Sequence, residues 1–243
     1  MDRNSIRNKV AEVIIECDIK SFPIDCFQVL QHYGYKVYTY SELQEKNKEL
    51  YEMCISYSED AFRNGNLKLI AYNDKMPVKR IRFSLMHELG HHILEHKNDL
   101  PQNETEANYF ASNILAPRIA IYYAKCKYRK DIEEIFNVSS AASYYIAQDF
   151  IVWCNEVCCD GKHDYDLDLY EHFYNPIYKG FVYSTKACQF CGADVYNEKK
   201  PYCTGGCKVT SEEQHNSRRL CHNLSSDDMQ ALRRFEYNRL YNF

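Results

Sequence analysis

The sequence predicts an α+β protein: a mostly helical domain with a small sheet over residues 1–160, then a small cysteine-bearing module over residues 161–243. Apolar residues recur at helical spacing through most of the first 160 residues. Glycine and proline number only 8 and 6, too few for an all-β fold dense in turns. Beyond residue 160 the composition shifts to a run of Asp and Tyr and then to clustered cysteines, which places the domain boundary.

Composition excludes several classes of protein. The net charge of −4, from 30 basic and 34 acidic residues, argues against a general polyanion binder. No stretch is apolar enough to span a membrane, and charged residues from Asp2 to Glu16 leave no room for a signal-peptide core. We therefore expect a cytoplasmic protein without membrane association, whose 12 cysteines are thiols or metal ligands rather than disulfides.

The local patterns predict the elements in order. Helices are expected at 5–17, at 22–34 with Gly34 just past its end, and at 41–53, 77–96, 104–115, 117–127, 131–136, 139–158 and 226–241. Strands are expected at 37–40, 55–57 and 67–72, the last after an Asn-Gly-Asn turn at 64–66.

Two histidines lie four residues apart in the expected helix 77–96, within His87-Glu88-Leu89-Gly90-His91. This spacing puts both imidazoles on one helix face, where they can reach a single tetrahedral zinc ion at about 2.0–2.1 Å. Glu88 lies beside them and can take a proton from a water whose pKa zinc lowers to about 7. The pattern alone also fits surface histidines, so a catalytic zinc needs a third ligand.

The third ligand should be a carboxylate on the neighbouring helix, where Glu104 and Glu106 are the candidates. Ala107 and Ala111 lie on the apolar face of that helix. Glu104 and Asn108 lie close to this face, one turn apart, whereas Glu106 is expected to turn towards solvent. Helical phase therefore favours Glu104, with Asn108 placed to orient a histidine ligand.

A competing pattern overlaps the first one. His92-Ile93-Leu94-Glu95-His96 matches the inverted His-x-x-Glu-His motif. The two histidine pairs flank the expected buried face on opposite sides, so helical phase does not decide between them. The simpler interpretation of His92 and His96 is surface or helix-end histidines.

The chain resembles the ImmA/IrrE family of metallopeptidases over roughly residues 20–150. The resemblance lies in five segments: Arg82–His91, Glu104–Ala111, Leu115–Pro117, Leu69–Asn73 and Phe22–Asp25. The resemblance implies a zincin-like peptidase domain, with zinc on His87, His91 and Glu104 and with Glu88 as general base. It also implies the substrate, a helix-turn-helix transcriptional repressor whose cleavage relieves repression of a mobile element or a stress-response operon.

Two parts of the peptidase mechanism are less defined. The strand at 67–72 is a candidate to bind an extended substrate as an added strand. The group that holds the oxyanion, a Tyr, His or Arg in related proteases, cannot be named among 22 tyrosines.

The second cluster comprises Cys188, Cys191, Cys203 and Cys207. Two closely spaced pairs separated by 11 residues are typical of a closed tetrahedral zinc site of the ribbon type. Four thiolates leave no position for water, so this zinc is expected to be structural. Acidic residues offset the nearby lysines and arginines, so nucleic-acid binding through this module is not predicted.

Residues 131–153 resemble the start of a helix-turn-helix, but 143–153 contain no Lys or Arg. A DNA-reading helix needs basic and amide side chains, so we interpret the segment as a packing or partner-binding element. Two alternatives to the enzyme stay open: a non-catalytic anti-repressor on the same fold, and a zinc-ribbon nucleic-acid binder. The oligomeric state is not predicted.

Overall fold

Ten helices and seven short strands form in the described residues, 1–98 and 100–203, of this computed structural model. The helices are α1 (Arg3–Glu16), α2 (Cys26–His32), α3 (Tyr40–Lys46), α4 (Lys48–Tyr57), α5 (Val78–Ile93), α6 (Pro101–Leu115), α7 (Arg118–Tyr123), α8 (Arg129–Ile135), α9 (Ser140–Asp160) and α10 (Asp164–Phe173). The strands are β1 (Lys36–Thr39), β2 (Ala61–Asn64), β3 (Leu69–Tyr72), β4 (Tyr174–Asn175), β5 (Gly180–Phe181), β6 (Thr185–Ala187) and β7 (Asp194–Tyr196). The expected helix 226–241 and Cys207 lie outside these residues. The α+β class is confirmed.

Side-chain caps explain several helix starts. Asp2, Asp25 and Ser139 accept hydrogen bonds from backbone N–H groups in the first turns of α1, α2 and α9. Gly34 adopts φ +76° one residue past the C-cap of α2, as its expected position at the helix end requires.

The region 41–64 differs from its prediction. The expected helix 41–53 divides at Asn47, whose side chain accepts from Leu50 N and so begins a second helix, α4. This helix continues to Tyr57, so the expected strand at 55–57 is wrong. The strand that pairs across the Asn64-Gly65 turn is instead β2, directly before the turn.

The main sheet has three strands in the order β1-β3-β2. β1 runs parallel to β3, with Val37 opposite Ile70, and β2 runs antiparallel to β3, with Arg63 opposite Ile70. β3 is therefore central and β2 forms an edge. Helix α5 packs against β2 and β3, which brings the edge strand next to the histidine-bearing helix.

Helices α5 and α6 pack closely, and Gly90 explains how. A Cβ atom at Gly90 would lie 3.1 Å from Phe110 Cδ1 and 3.3 Å from Ala107 Cα. These separations are shorter than ordinary carbon contacts of about 3.5–4.0 Å. The absence of a side chain at Gly90 thus lets α6 approach the face of α5 that carries His87 and His91.

A buried ionic cluster ties α9 to the rest of the domain. Asp149 on α9 accepts from Arg118 Nε at 2.7 Å, from Tyr109 Oη at 3.1 Å and from Arg7 Nη2 at 3.4 Å. Burial alone would raise the pKa of Asp149, but Arg118, Arg7 and Tyr109 outweigh it and lower the pKa below its usual value. Asp149 thus stays ionised and links α1, α6, α7 and α9.

The chain divides into two compact units after Thr185 rather than at the expected 160/161 boundary. The reason is α10, whose Tyr165, Leu169 and Phe173 are buried in the same core as α1, together with Phe181 from β5. None of the helices in the described residues is both long enough and apolar enough to cross a membrane.

Candidate metal centre

Three side chains from α5 and α6 converge at one point. His87 Nε2 and His91 Nε2 are 3.0 Å apart. Glu104 on α6 lies 3.3 Å from His87 Nε2 through one carboxylate oxygen and 3.2 Å from His91 Nε2 through the other. The structure therefore brings together the three ligands that the spacing and the resemblance indicated.

These distances fit a tetrahedral zinc ion. With metal–ligand distances of about 2.0–2.1 Å, neighbouring donors of a tetrahedron lie about 3.3 Å apart, close to the separations between these atoms. Two histidines and one glutamate leave a fourth position, as in catalytic rather than closed structural zinc sites. The Glu104 side chain is 45 % exposed, so that side of the cluster is open to solvent.

The electrostatics of the histidines favour the form that binds metal. Burial lowers the pKa of His87, although Glu104 and Asn108 partly offset it. Burial, with the neighbouring His87 and His96, lowers the pKa of His91 to about 3. Both imidazoles are therefore neutral at pH 7, with lone pairs available for a cation.

The two flanking residues of α6 behave differently from each other. Asn108 Oδ1 lies 3.0 Å from His87 Nδ1, where it holds the ring through the nitrogen that points away from Glu104. The expectation that Glu106 turns towards solvent is wrong, because its side chain is only 11 % exposed and contacts His96 and the Met1 amino group. The phase argument considered the face of α6 towards α5 and missed the cover that His96 and α1 provide.

The inverted motif does not form a site of its own. His92 Nε2 lies 3.2 Å from Lys68 Nζ, and its ring packs edge-on against Tyr35. His96 instead lies on the other side, with Nδ1 3.1 Å from His91 Nδ1. Its side chain is 6 % exposed, so His96 is not a surface histidine, but it does lie at the end of α5, two residues after the C-cap Leu94.

Residues 39–158 match the model of the IrrE N-terminal-like domain, a peptidase family. Residues 39–158 therefore form a domain of the ImmA/IrrE family. No curated protein sequence matches the chain at a significant level. The matched range includes both α5 and α6, so the histidine pair and Glu104 lie in this metallopeptidase-type domain.

The ImmA/IrrE domain also holds an arginine that the sequence did not single out. Arg63 on β2 places its Nε 3.9 Å from Glu88 Oε2, and the two side chains are 19 % and 16 % exposed. Both line a cleft of about 610 Å³ with His87 and His91. The Asn64-Gly65 turn, a hairpin signal, could have located β2 and thus Arg63 beside the helix.

A second, larger groove adjoins this cleft. It has a volume of about 1430 Å³ and shares Phe83 and Asn108 with the cleft. Val78, Tyr145 and Val152 give it a mainly apolar lining. A polypeptide held at the metal centre thus has an apolar surface within reach.

The cysteine cluster lies beyond the family match. The sulfur atoms of Cys188, Cys191 and Cys203 lie within 4.8 Å of one another, and Cys191 Sγ is 3.3 Å from Cys203 Sγ. Backbone N–H groups of Phe190, Cys203 and Cys191 point at Cys188 and lower the pKa of its thiol to about 6. Gly192, at φ +71°, makes the tight turn that this arrangement needs. The fourth expected ligand, Cys207, lies outside the described residues.

Proposed function

We propose that this protein is a zinc-dependent endopeptidase with a zincin-like domain, in which His87, His91 and Glu104 hold the catalytic zinc. The convergence of these three donors beside Glu88 carries the proposal. We further propose a helix-turn-helix transcriptional repressor as substrate, which the sequence resemblance supports, and a second, structural zinc on Cys188, Cys191, Cys203 and Cys207.

A zinc ion at this site supplies a Lewis acid that polarises a carbonyl and lowers the pKa of water to about 7. Glu88 accepts a proton from the attacking water as the water oxygen adds to the scissile carbonyl carbon. The same carboxylate then donates that proton to the nitrogen of the leaving amine as the C–N bond breaks. Arg63 Nε lies 3.9 Å from Glu88 Oε2, so the guanidinium places a positive charge beside the carboxylate that handles the proton.

Arg63 also fits the role of the oxyanion-holding group. Within the described part of the chain, Arg63 Nε has no hydrogen-bond partner, and its 3.9 Å distance from Glu88 Oε2 is too long for a hydrogen bond. Both side chains line the same cleft. A guanidinium with an unused donor can bind the oxygen that becomes negative as water adds. The structure thus offers a named candidate where the sequence left the group undefined.

The edge of the sheet supports a changed hypothesis for substrate binding. The strand expected to pair with substrate, β3, is bonded to β1 on one side and to β2 on the other, so it has no edge to offer. β2 is the edge strand, and Ala61, Phe62 and Arg63 line the cleft. An extended substrate that adds to β2 passes along the side of the cleft that carries Arg63.

Glu88→Gln tests the enzymatic proposal, because glutamine keeps the shape of glutamate but cannot act as a base. The zinc-loaded full chain is incubated with a peptide library from the proteome of its organism of origin and with purified helix-turn-helix repressors of that organism. New peptide termini are identified by mass spectrometry. We expect the wild type to cleave and the variant to keep its zinc but lose about 10²–10⁴-fold in rate.

The same variant separates the enzyme from the anti-repressor alternative. If Glu88→Gln relieves repression in cells as well as the wild type does, the protein acts by binding and the peptidase proposal is wrong. Cleavage of peptides but of no repressor would overturn only the proposed substrate.

A further inference from the structure

His96 returns to the metal centre because of the way α5 ends. Leu94 is the C-cap, and Glu95 adopts the left-handed conformation with φ +56°. Glu95 N then donates to His92 O, and His96 N donates to His91 O at 3.0 Å. This is a Schellman ending, in which glycine is the usual residue at the left-handed position.

Glu95 therefore adopts a conformation that costs a non-glycine residue about 1 kcal/mol or more. The turn reverses the chain and places the His96 ring edge-on to His91, with centroids 5.1 Å apart. A backbone outlier of this kind is a reason to look for a role in the residue that it positions.

The side chains continue from His91 in an unbroken series of polar contacts. His91 Nδ1 lies 3.1 Å from His96 Nδ1, and His96 Nε2 lies 3.2 Å from Glu106 Oε2. The other oxygen of Glu106 accepts from Gln102 Nε2 at 2.8 Å. His96 and Glu106 are nearly enclosed, at 6 % and 11 % exposure, so water competes little for these contacts.

The direction of each hydrogen bond follows from the metal-facing atom. His91 Nε2 points at His87 and Glu104, so a bound metal takes the lone pair of that nitrogen. A neutral imidazole must then carry its proton on Nδ1, which donates to His96 Nδ1. With Nδ1 as acceptor, His96 carries its own proton on Nε2 and donates it to the Glu106 carboxylate.

We propose that His96 and Glu106 are positioning residues, forming a carboxylate–histidine–histidine chain that fixes the tautomer and ring orientation of His91 for metal binding. The proposal rests on the proposed zinc site at His87, His91 and Glu104. It resembles in principle the hydrogen bond from a ligating histidine to a carboxylate, here with a second imidazole inserted between the two groups.

Zinc affinity is the direct measurement, made by chelator competition on the full chain in a Cys191→Ser/Cys203→Ser background that removes the second cluster. His96→Ala is expected to weaken zinc binding about 10–100-fold, the usual effect of losing such a partner. His92→Ala is the matched control, since His92 lies in the last turn of α5 but outside the series of contacts, and it should change the affinity less than about 3-fold. Glu106→Gln, whose carbonyl oxygen can still accept from His96, should lose less than Glu106→Ala.

A spectroscopic measurement separates positioning from simple packing. Two-bond ¹H–¹⁵N correlation spectra of ¹⁵N-histidine-labelled, zinc-loaded protein report which ring nitrogen carries the proton. We expect His91 protonated at Nδ1 and His96 at Nε2. A His96 protonated at Nδ1, or an unchanged zinc affinity in both His96→Ala and Glu106→Ala, would overturn the positioning role while the zinc site stands. If the Cys191→Ser/Cys203→Ser protein with no further substitution binds no zinc, the zinc site and the positioning role are both overturned.

Discussion

Substitution of Gly90 by alanine tests the close approach of α5 and α6 that assembles the metal centre. The added Cβ would lie 3.1 Å from Phe110 Cδ1 and 3.3 Å from both Cα and the carbonyl oxygen of Ala107. Two of these three atoms belong to the backbone of α6, which cannot rotate away as a flexible side chain can. Relief therefore requires the helices to separate by about 0.5 Å, the difference from ordinary contact distances.

Two opposing effects set the magnitude. Overpacking of this kind costs about 1–3 kcal/mol, whereas replacing glycine by alanine within a helix contributes about 1 kcal/mol of stability. The expected net result for Gly90→Ala is a loss of about 1 kcal/mol in the free energy of unfolding. Glu104 should move with α6, and because metal sites tolerate only about 0.2 Å of error, zinc affinity should fall about 10-fold or more.

Urea denaturation of the zinc-free protein measures the stability change, and chelator competition measures the zinc affinity. Gly90→Ser is the graded comparison, since serine is larger than alanine and a poorer helix former, so both losses should increase. A Gly90→Ala variant that gains about 1 kcal/mol and binds zinc like the wild type would refute the reasoning, because only helix propensity would then have changed.

Three further predictions follow from individual side chains. Arg63→Ala should keep its zinc, measured by metal analysis, but its kcat on a cleaved peptide should fall about 10²–10³-fold. Arg63→Lys should lose less. An unchanged kcat in Arg63→Ala would exclude the oxyanion role. Asp149→Asn should lower the free energy of unfolding by about 3–5 kcal/mol in urea titrations, because it leaves the buried Arg118 without a carboxylate partner, whereas Arg7 keeps Glu156 at 2.6 Å. A loss below about 1 kcal/mol would contradict this. Burial raises the pKa of Asp166 to about 6. Its carboxylate therefore destabilises the fold once the pH rises above the unfolded pKa of about 3.9, and the free energy of unfolding of the wild type should fall by roughly 2–3 kcal/mol relative to Asp166→Asn between pH 4 and pH 7. Parallel urea stabilities of the two proteins over that range would contradict this.

The three proposed metal ligands could be grouped from the sequence because their placement depends on local geometry. His87 and His91 share a face through the period of a single long helix, and Glu104 was separated from Glu106 by the phase of the next helix. Both helices form with nearly their expected ends, so Glu104 lies beside the histidine pair as its helical phase predicts.

The parts that the sequence did not reveal depend on contacts between distant segments. Glu106 contacts His96 and the amino group of Met1, neither of which belongs to α6. The four residues of β2 are too few for a clear alternation, so Arg63 was not linked to Glu88. The position of His96 depends on the left-handed conformation of Glu95, which the residue type does not predict.

The boundary between the units shows the same limit. The run of Asp and Tyr after residue 160 looks like a linker by composition. In the structure, this run begins α10, and Tyr165, Leu169 and Phe173 pack at helical spacing into the main core. The buried face also includes Asp166 and the exposed face includes Leu167, so composition alone does not show the pattern.

Zinc content per chain tests directly whether His87, His91 and Glu104 bind a metal ion. The full chain, purified without added chelator, is analysed as wild type, as His91→Ala and as Cys203→Ser. We expect two zinc ions in the wild type and one in each variant, because each substitution removes a ligand of a different site. A His91→Ala protein that keeps the zinc content of the wild type would contradict the assignment of His87, His91 and Glu104 as a metal centre.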